Sequence, residues 1–213
     1  RSARGQPVFW GGAEAFTDKQ KKKLLSKSMR EKIADRTSWD SIKPIHDRFK
    51  TKDREGSTLN WMTYLDLNLR LPELLLMRVD KMSMGVSLEA RVPFLDHKMV
   101  ELALSLPSKR KIKSGRLKHL LKEAVSGLIP DSIINRKKQG FGVPVYEWLF
   151  DELGDKIEAE IEEFCKRTDY IDLAAFKELF AAKPGAQVWY LYNFVLWWNM
   201  FIKPTTSHSG KQS

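Results

Sequence analysis

Apolar residues recur at the spacing of an α-helix along most of the chain, and polar residues fill the positions between them. Two segments show the pattern clearly, and each is predicted to form a helix that buries one face. Their apolar positions are Leu95, Met99, Leu102, Ala103 and Leu106 in the first segment, and Leu117, Leu120, Leu121, Ala124 and Leu128 in the second. No alternating strand pattern of any length and no internal repeat occurs. The sequence therefore predicts a mainly α-helical protein.

Local signals mark several boundaries. Thr17 followed by Gln20 is a capping-box pattern, which predicts a helix that begins near Asp18. Ser114 and Gly115 separate the two apolar segments and predict a turn. These signals depend only on residues a few positions apart, so they can be interpreted without knowledge of the tertiary structure.

Two prolines are predicted to interrupt the helical pattern. Helices over 57–71 and 73–87 are expected to meet at Pro72, because proline is tolerated in the first turn of a helix. In "EARVPFLDH", Pro93 restricts the residue before it to an extended conformation, and Asp96 can cap the helix that follows. The sequence predicts an ordered corner between helices at this point.

The chain divides by composition into a turn-rich segment over 1–12 that continues from something upstream, a helical part over 13–204 and a polar, flexible tail over 205–213. The last helix, over 186–202, is apolar on all sides, which is typical of a buried core helix. Its aromatic residues are expected in the core. They are Trp189, Phe194, Trp197, Trp198 and Phe201.

Composition and charge narrow the class of protein. Hydrophobic residues make up 42% and charged residues 30% of the chain, which indicates a folded globular body. The net charge of +10 favours an anionic partner such as phosphate. The single cysteine, Cys165, excludes a disulfide within this chain and is expected to be a small buried hydrophobe rather than a nucleophile. No apolar run approaches the roughly 20 residues of a membrane span, so a cytoplasmic protein is expected.

Charged residues within apolar surroundings are the first candidates for chemistry. Arg78 and Lys81 lie three residues apart in a segment rich in leucine and methionine, so they either extend to solvent or meet an anion. Glu89 and Arg91 lie beside the predicted corner, where they form a structural ion pair or hold a substrate that carries an amine and a carboxylate.

The segment "NRKKQGFGVP" is the second candidate, since its cations precede a turn. Gly140 and Gly142 permit positive φ and close approach of the backbone to a ligand. Such a turn, which also carries Arg136, can present Lys138 as a fixed point charge toward phosphate. A basic turn on a protein of this charge can equally be ordinary surface.

Two long motifs then resemble one family. "LPELLLMRVDKMSMGVSLEARVPFLDHKMVELALSLP" and "GRLKHLLKEAVSGLIPDSIINRKKQGFGVPVYEWL" are similar, in order, to the C-terminal part of the synthetase domain of glutamine-dependent asparagine synthetase. The resemblance implies the helical C-terminal portion of a nucleotide-binding α/β fold of the adenine nucleotide alpha-hydrolase type. It implies that Lys138 is catalytic and faces the phosphates, within an R-x-K-x-x-F pattern completed by Arg136 and Phe141. Arg78, Lys81, Glu89 and Arg91 fall on family positions that bind substrate or brace the pocket.

The resemblance also implies partners and cofactors. Family members use ATP and Mg²⁺ to activate the side-chain carboxylate of aspartate, and ammonia from a glutaminase domain then attacks the adenylate. This chain lacks the S-G-G-x-D-S loop, the S-G-E-G-x-D-E segment and the N-terminal cysteine of the family. We therefore expect a C-terminal fragment that is inactive alone, provides no metal ligands and binds no cofactor tightly.

Two other functions are compatible with parts of the sequence. A related synthetase that adenylates a different carboxylate, as β-lactam-forming synthetases do, would share most of these motifs. A basic helical module that binds nucleic acid would explain the charge. However, the cations are spread over several helices and mixed with acids, and no helix-turn-helix signature occurs. No local feature of the sequence indicates the oligomeric state.

Overall fold

The computed structural model describes residues 5–12, 14–53, 55–137, 140, 144–183 and 185–202, and of Tyr146 only the backbone. Its α-helices are α1 (Asp18–Leu24), α2 (Lys27–Ile33), α3 (Ser38–Lys52), α4 (Thr58–Leu65), α5 (Met77–Met84), α6 (His97–Ser105), α7 (Ser108–Lys111), α8 (His119–Ala124), α9 (Asp131–Ile134), α10 (Val145–Phe150), α11 (Gly154–Thr168), α12 (Leu173–Ala181) and α13 (Gly185–Phe201). Isolated bridges such as that between Leu25 and Ile171 are the only extended pairing in these described residues. The mainly helical prediction is confirmed.

The predicted boundary signals form the predicted contacts. At the start of α1, the Thr17 N–H donates to Gln20 Oε1 at 2.9 Å and the Gln20 N–H donates to Thr17 Oγ1 at 3.3 Å. Asp96 accepts hydrogen bonds from the backbone N–H groups that open α6. The turn at Ser114 and Gly115 is also present, with φ of 51° and 74° respectively.

The predicted break at Pro72 is wrong. A π-helix over Asp66–Leu76 contains Pro72 and joins α4 to α5 without interruption. The Met77 N–H donates to the carbonyl of Pro72, five residues back. Because proline lacks an N–H and its ring clashes with the carbonyl four residues earlier, the wider π-helical turn removes a conflict that an α-helix would retain.

The chain forms two compact units, which are described separately. Unit 1 comprises residues 1–14 and 39–140, and unit 2 comprises residues 15–38 and 141–213. The core of unit 1 lies where α3, α4 and the segment before residue 14 meet, and Trp61 Nε1 there donates to the Phe9 carbonyl at 2.9 Å. Its buried residues are Trp10, Ile42, Ile45, Phe49, Trp61 and Leu65.

The core of unit 2 is built on α11, which packs against α10, α12 and α13. Its buried residues are Leu24, Leu149, Ile157, Ile161, Phe164, Cys165, Ile171, Phe176, Val188, Leu191 and Val195. The aromatic residues of α13 do not follow the prediction, because α10 and α11 cover only part of this helix. Trp189, Phe194, Trp197 and Phe201 are exposed, and Trp198 is half-buried.

The apolar faces predicted over 95–106 and 117–128 are also not buried. Leu102 is 58% exposed, and across residues 77–133 only His119 is buried. We call the exposed large apolar side chains of this stretch the open face. They are Met77, Val79, Met82, Met84, Val86, Leu88, Val92, Phe94, Met99, Leu102, Leu117, Leu120, Leu121, Leu128, Ile129 and Ile133. The helices form as the pattern predicts, but no described residue of unit 1 buries this face.

Candidate functional site

The candidate cations of α5 lie on one face of that helix. Arg78 and Lys81 are three residues apart, so their side chains leave the helix on the same side. Both are exposed, and neither forms an ion pair with another described residue. The sequence allowed these side chains either to extend to solvent or to contact an anion. In the structure they extend to solvent, where they are accessible to an anion.

Glu89 and Arg91 form the ion pair that their positions suggested. Arg91 Nη2 lies 2.9 Å from Glu89 Oε1. The Arg91 side chain is 80% exposed and the Glu89 side chain is 67% exposed. An ion pair this exposed contributes only about 0–1 kcal/mol to folding. The pair is therefore not needed for the stability of unit 1, and its role toward a substrate stays a prediction.

The start of the "NRKKQGFGVP" segment lies beside another basic turn. Arg116 Nη2 donates to Asn135 Oδ1 at 3.1 Å, and Arg136 follows directly and is exposed. Gly140 is exposed, its φ lies outside the left-handed region, and a Cβ there would meet no atom within 4 Å. Its conformation therefore does not require glycine.

The remaining residues of this segment that the sequence singled out are Lys138, Phe141 and Gly142. All of them lie outside the described residues.

A polar network that the sequence did not reveal holds the basic stretch after α6. Glu55 accepts a hydrogen bond from Ser108 Oγ at 2.6 Å and another from Asn60 Nδ2 at 2.8 Å, while Lys111 Nζ donates to Asn60 Oδ1 at 3.0 Å. The hydrogen bonds from Ser108 hold the pKa of Glu55 below its usual value. Glu55 and Ser108 are 53 residues apart in the chain, so no local pattern could have indicated their contact.

The stretch over 102–122 is strongly basic. It contains no acidic residue, and none of its cations pairs with a described carboxylate. The cations are Lys109, Arg110, Lys111, Lys113, Arg116, Lys118 and Lys122. Together with Arg136, they give unit 1 a surface that can bind anions but contains no described pairing of a nucleophile with a base.

Other candidate chemistry is absent from the described residues. They contain no cluster of His, Cys, Asp or Glu that could hold a metal ion. Burial in the core of unit 2 raises the pKa of the Cys165 thiol to about 11, so this cysteine is a packed hydrophobe, as predicted. Nor does any helix of the described chain combine the length and apolarity needed to cross a membrane.

Unit 1 contains an open cavity of about 390 Å³ near its core. Phe49 and Trp61 form its aromatic wall, and Lys50 and Asp53 also line it. None of the residues that the sequence singled out for chemistry lines this cavity.

Comparison with protein families decides the relationship. The family model described as asparagine synthase matches residues 6–200 of this chain. The chain belongs to the asparagine synthase family. The resemblance seen in the two long motifs is therefore confirmed, and the match covers most of both units, including the basic stretch over 102–122.

Individual members of the family differ in how much of this chain they match. Asparagine synthetase [glutamine-hydrolyzing] 1 of Bacillus subtilis is 31% identical over 205 residues, which is 93% of this chain and 31% of that protein. Asparagine synthetase [glutamine-hydrolyzing] 3 of the same organism is 48% identical over 67 residues, covering 32% of this chain and 11% of that protein. The enzyme of Cricetulus griseus is 38% identical over 93 residues, covering 41% of this chain and 17% of that protein.

The chain thus spans about a third of the length of the relative that it matches most extensively among these. No solved structure matches it.

Proposed function

We propose that this chain is the C-terminal part of the synthetase domain of an ATP-dependent asparagine synthetase that uses glutamine as its nitrogen source. The family match over residues 6–200 is the observation that carries the proposal. In the proposed reaction, an oxygen of the aspartate side-chain carboxylate attacks the α-phosphorus of ATP, and pyrophosphate leaves. Ammonia then attacks the acyl carbon, AMP leaves, and asparagine is formed.

The cations of unit 1 supply the charge that this reaction needs. We assign Lys138 to the phosphates, where an ammonium would stabilise the charge that grows as pyrophosphate leaves. The exposed Arg136 is the second residue of the same segment. We assign Arg136, Gly140 and Gly142 to a turn that faces the phosphates. The hydrogen bond from Arg116 to Asn135, the residue before Arg136, supports this assignment because it joins the two basic segments.

The remaining candidates are assigned to the acidic substrate or to the walls of its pocket. Arg78 and Lys81 are exposed and not paired with any described residue, as residues that receive a carboxylate or a phosphate would be. Glu89 and Arg91 form an exposed pair that can orient a substrate with both an amine and a carboxylate. A cytoplasmic location is part of the same proposal.

The described residues contain no group of three or more His, Cys, Asp or Glu side chains that could hold a metal ion. Proteins usually bind Mg²⁺ through carboxylates together with substrate phosphates. We therefore assign the magnesium ligands, the glutaminase and the main nucleotide site to the part of the protein that the relatives possess beyond the matched third. The isolated chain should accordingly form no asparagine and exchange no pyrophosphate into ATP.

The experiment is single-turnover adenylation in the full-length protein. Lys138→Met should lower the rate by about 10² to 10³, roughly 2.7–4 kcal/mol, with little change in melting temperature, because one preorganised charge at the reacting phosphates is removed. Lys138→Arg should restore only part of the rate, since a planar fork replaces a compact point charge. Lys137→Met is the matched control and should have a mild effect.

Two outcomes would overturn the proposal. A Lys138→Met enzyme that retains near wild-type rates at saturating ATP and aspartate would show that the segment is ordinary surface. Preferential adenylation of bulkier β-amino acids over aspartate in a competition assay would replace asparagine formation with β-lactam-type chemistry.

A further inference from the structure

The open cavity of unit 1 is a feature that the proposed function does not use. Its volume of about 390 Å³ lies within the range of small-molecule sites in proteins. The described residues that we assign to the synthetase reaction do not line it. A molecule bound in this cavity would therefore contact a different set of side chains from those that contact aspartate or ATP.

One face of α3 forms a wall of the cavity. Four lining residues of this helix and its C-terminal end follow one another at intervals of three, one and three positions, which is the spacing of a single helical face. They are His46, Phe49, Lys50 and Asp53. The helical turn continues through Asp53, because its N–H donates to the Phe49 carbonyl at 2.8 Å. Lys50 and Asp53 are therefore neighbours on the same side of the helix.

The apolar part of the cavity wall is aromatic. The ring centroids of Phe49 and Trp61 are 5.4 Å apart, and the His46 ring meets the Trp61 ring edge-on at 5.1 Å. Burial, reinforced by the charge of Lys50, lowers the pKa of His46, so this ring is neutral at pH 7. The aromatic part thus offers an apolar ligand group a surface without charge.

Two opposite charges complete the wall. Lys50 and Asp53 are the only charged side chains among the described residues that line the cavity, and neither forms an ion pair with a described residue. Asp53 follows the last residue of α3, where the helix dipole disfavours a carboxylate. Its charge therefore does not stabilise α3 and is available to a ligand.

These charges narrow the chemistry of the ligand. Asp53 would repel an anion and Lys50 would repel a cation, whereas a wholly apolar molecule would leave both side chains without a partner. An α-amino acid carries its ammonium and its carboxylate on one carbon, so it can pair with two oppositely charged side chains that are helical neighbours.

We propose that this cavity binds an α-amino acid with a large apolar side chain. The carboxylate of the amino acid pairs with Lys50, its ammonium pairs with Asp53, and its side chain packs against Phe49 and Trp61. The proposal does not depend on the proposed function, because it uses none of the residues assigned to the synthetase reaction.

A ligand-observed NMR titration of the full-length protein with L-phenylalanine and two truncated analogues tests the proposal. Phenethylamine lacks the carboxylate and 3-phenylpropionate lacks the ammonium, but both keep the phenyl ring. L-Phenylalanine should bind with a Kd of about 1 mM or lower, as expected for a ligand of this size in an open cavity. Each analogue should bind about tenfold more weakly or worse, because it leaves one charge of the cavity unpaired.

Two variants assign the charges to their partners. Lys50→Met should weaken the binding of L-phenylalanine and 3-phenylpropionate by about tenfold, but not that of phenethylamine, from which it removes a like charge. Asp53→Asn should weaken the binding of L-phenylalanine and phenethylamine by about the same factor, but not that of 3-phenylpropionate. Lys52→Met is the matched control and should change nothing, because Lys52 is also an exposed lysine of α3 but does not line the cavity. All three variants should melt with the wild type.

Three results would overturn the proposal. The first is no saturable binding of L-phenylalanine at concentrations far above the expected Kd, which would show that the cavity is filled or closed in the full-length protein. The second is binding of 3-phenylpropionate as tight as that of L-phenylalanine, which would make the cavity an anion site. The third is L-phenylalanine binding that Lys50→Met and Asp53→Asn both leave unchanged, which would place the ligand elsewhere on the protein.

Discussion

Truncating Phe164 to alanine should remove a large part of the stability of unit 2. Its side chain is 0% exposed and lies on α11 at the centre of the core. Its ring meets three aromatic rings edge-on, with centroid distances of 6.2 Å to Tyr170, 5.7 Å to Phe194 and 6.1 Å to Trp198. A substitution at this position removes buried apolar surface, leaves a cavity and breaks all three ring contacts.

These losses set the expected magnitude. Truncation of a buried phenylalanine costs about 3–5 kcal/mol, and an aromatic pair is worth about 0.5–1.5 kcal/mol beyond its buried area. The cost of losing the ring contacts is partly included in the cost of truncating a buried phenylalanine, so the two are not added. We therefore expect Phe164→Ala to lower the free energy of unfolding by about 4–5 kcal/mol, the upper part of the range for such truncations. With a urea m-value of about 2 kcal/mol/M, the unfolding midpoint should fall by about 2 M.

The assay is urea unfolding followed by circular dichroism and tryptophan fluorescence. Phe201→Ala is the matched control, because Phe201 on α13 is 65% exposed and the same truncation should cost no more than about 0.5 kcal/mol. Equal losses for the two variants would refute the reasoning, since they would place Phe201 in a core that the structure does not give it. A loss below about 1 kcal/mol at Phe164 would refute the assigned core.

Three further predictions concern ionisable groups. The Cys165 thiol, whose pKa burial raises to about 11, should react with Ellman's reagent at pH 8 at least 100-fold more slowly in the folded chain than in urea, and rapid native reaction would contradict its burial. Burial alone would raise the pKa of Asp18, but hydrogen bonds from Lys21 and Ser38 outweigh it and lower the value. Its contribution is therefore present above about pH 4 and lost as the pH falls through the lower folded value, so Asp18→Asn should narrow the gap in urea midpoint between pH 7 and pH 3. The pKa of Glu55 is also lowered, so proton release from its carboxyl, followed by NMR, should occur below its ordinary pH range. In Ser108→Ala it should move only part of the way back, because the variant loses the hydroxyl donor but keeps the backbone N–H of residue 108.

Local chemistry accounts for what the sequence predicted correctly. The capping box of Thr17 and Gln20, the Asp96 cap and the turn at Gly115 each depend on groups within three residues of one another, so the sequence alone contains the whole interaction. The continuous helix through Pro72 was missed because a π-helical turn is a response to strain rather than a periodic pattern. The Glu55 network was missed because its partners come together only in the folded unit.

The prediction that apolar helix faces are buried was wrong in unit 1 for a different reason, which a comparison of α6 with α11 shows. Met99 and Leu102 repeat on α6 as Ile157 and Ile161 repeat on α11, yet the pair on α6 is exposed and the pair on α11 is fully buried. The sequence pattern specifies only that a helix has an apolar face. Burial of that face also requires a second surface, and α10, α12 and α13 supply it for α11 within unit 2. A helical face that is apolar in sequence is therefore buried only where the same unit supplies a second surface, as unit 2 does for α11. In unit 1 such faces occur on the same stretch as Arg78 and Lys81, which form no ion pair with a described residue, and as the basic residues beyond α6.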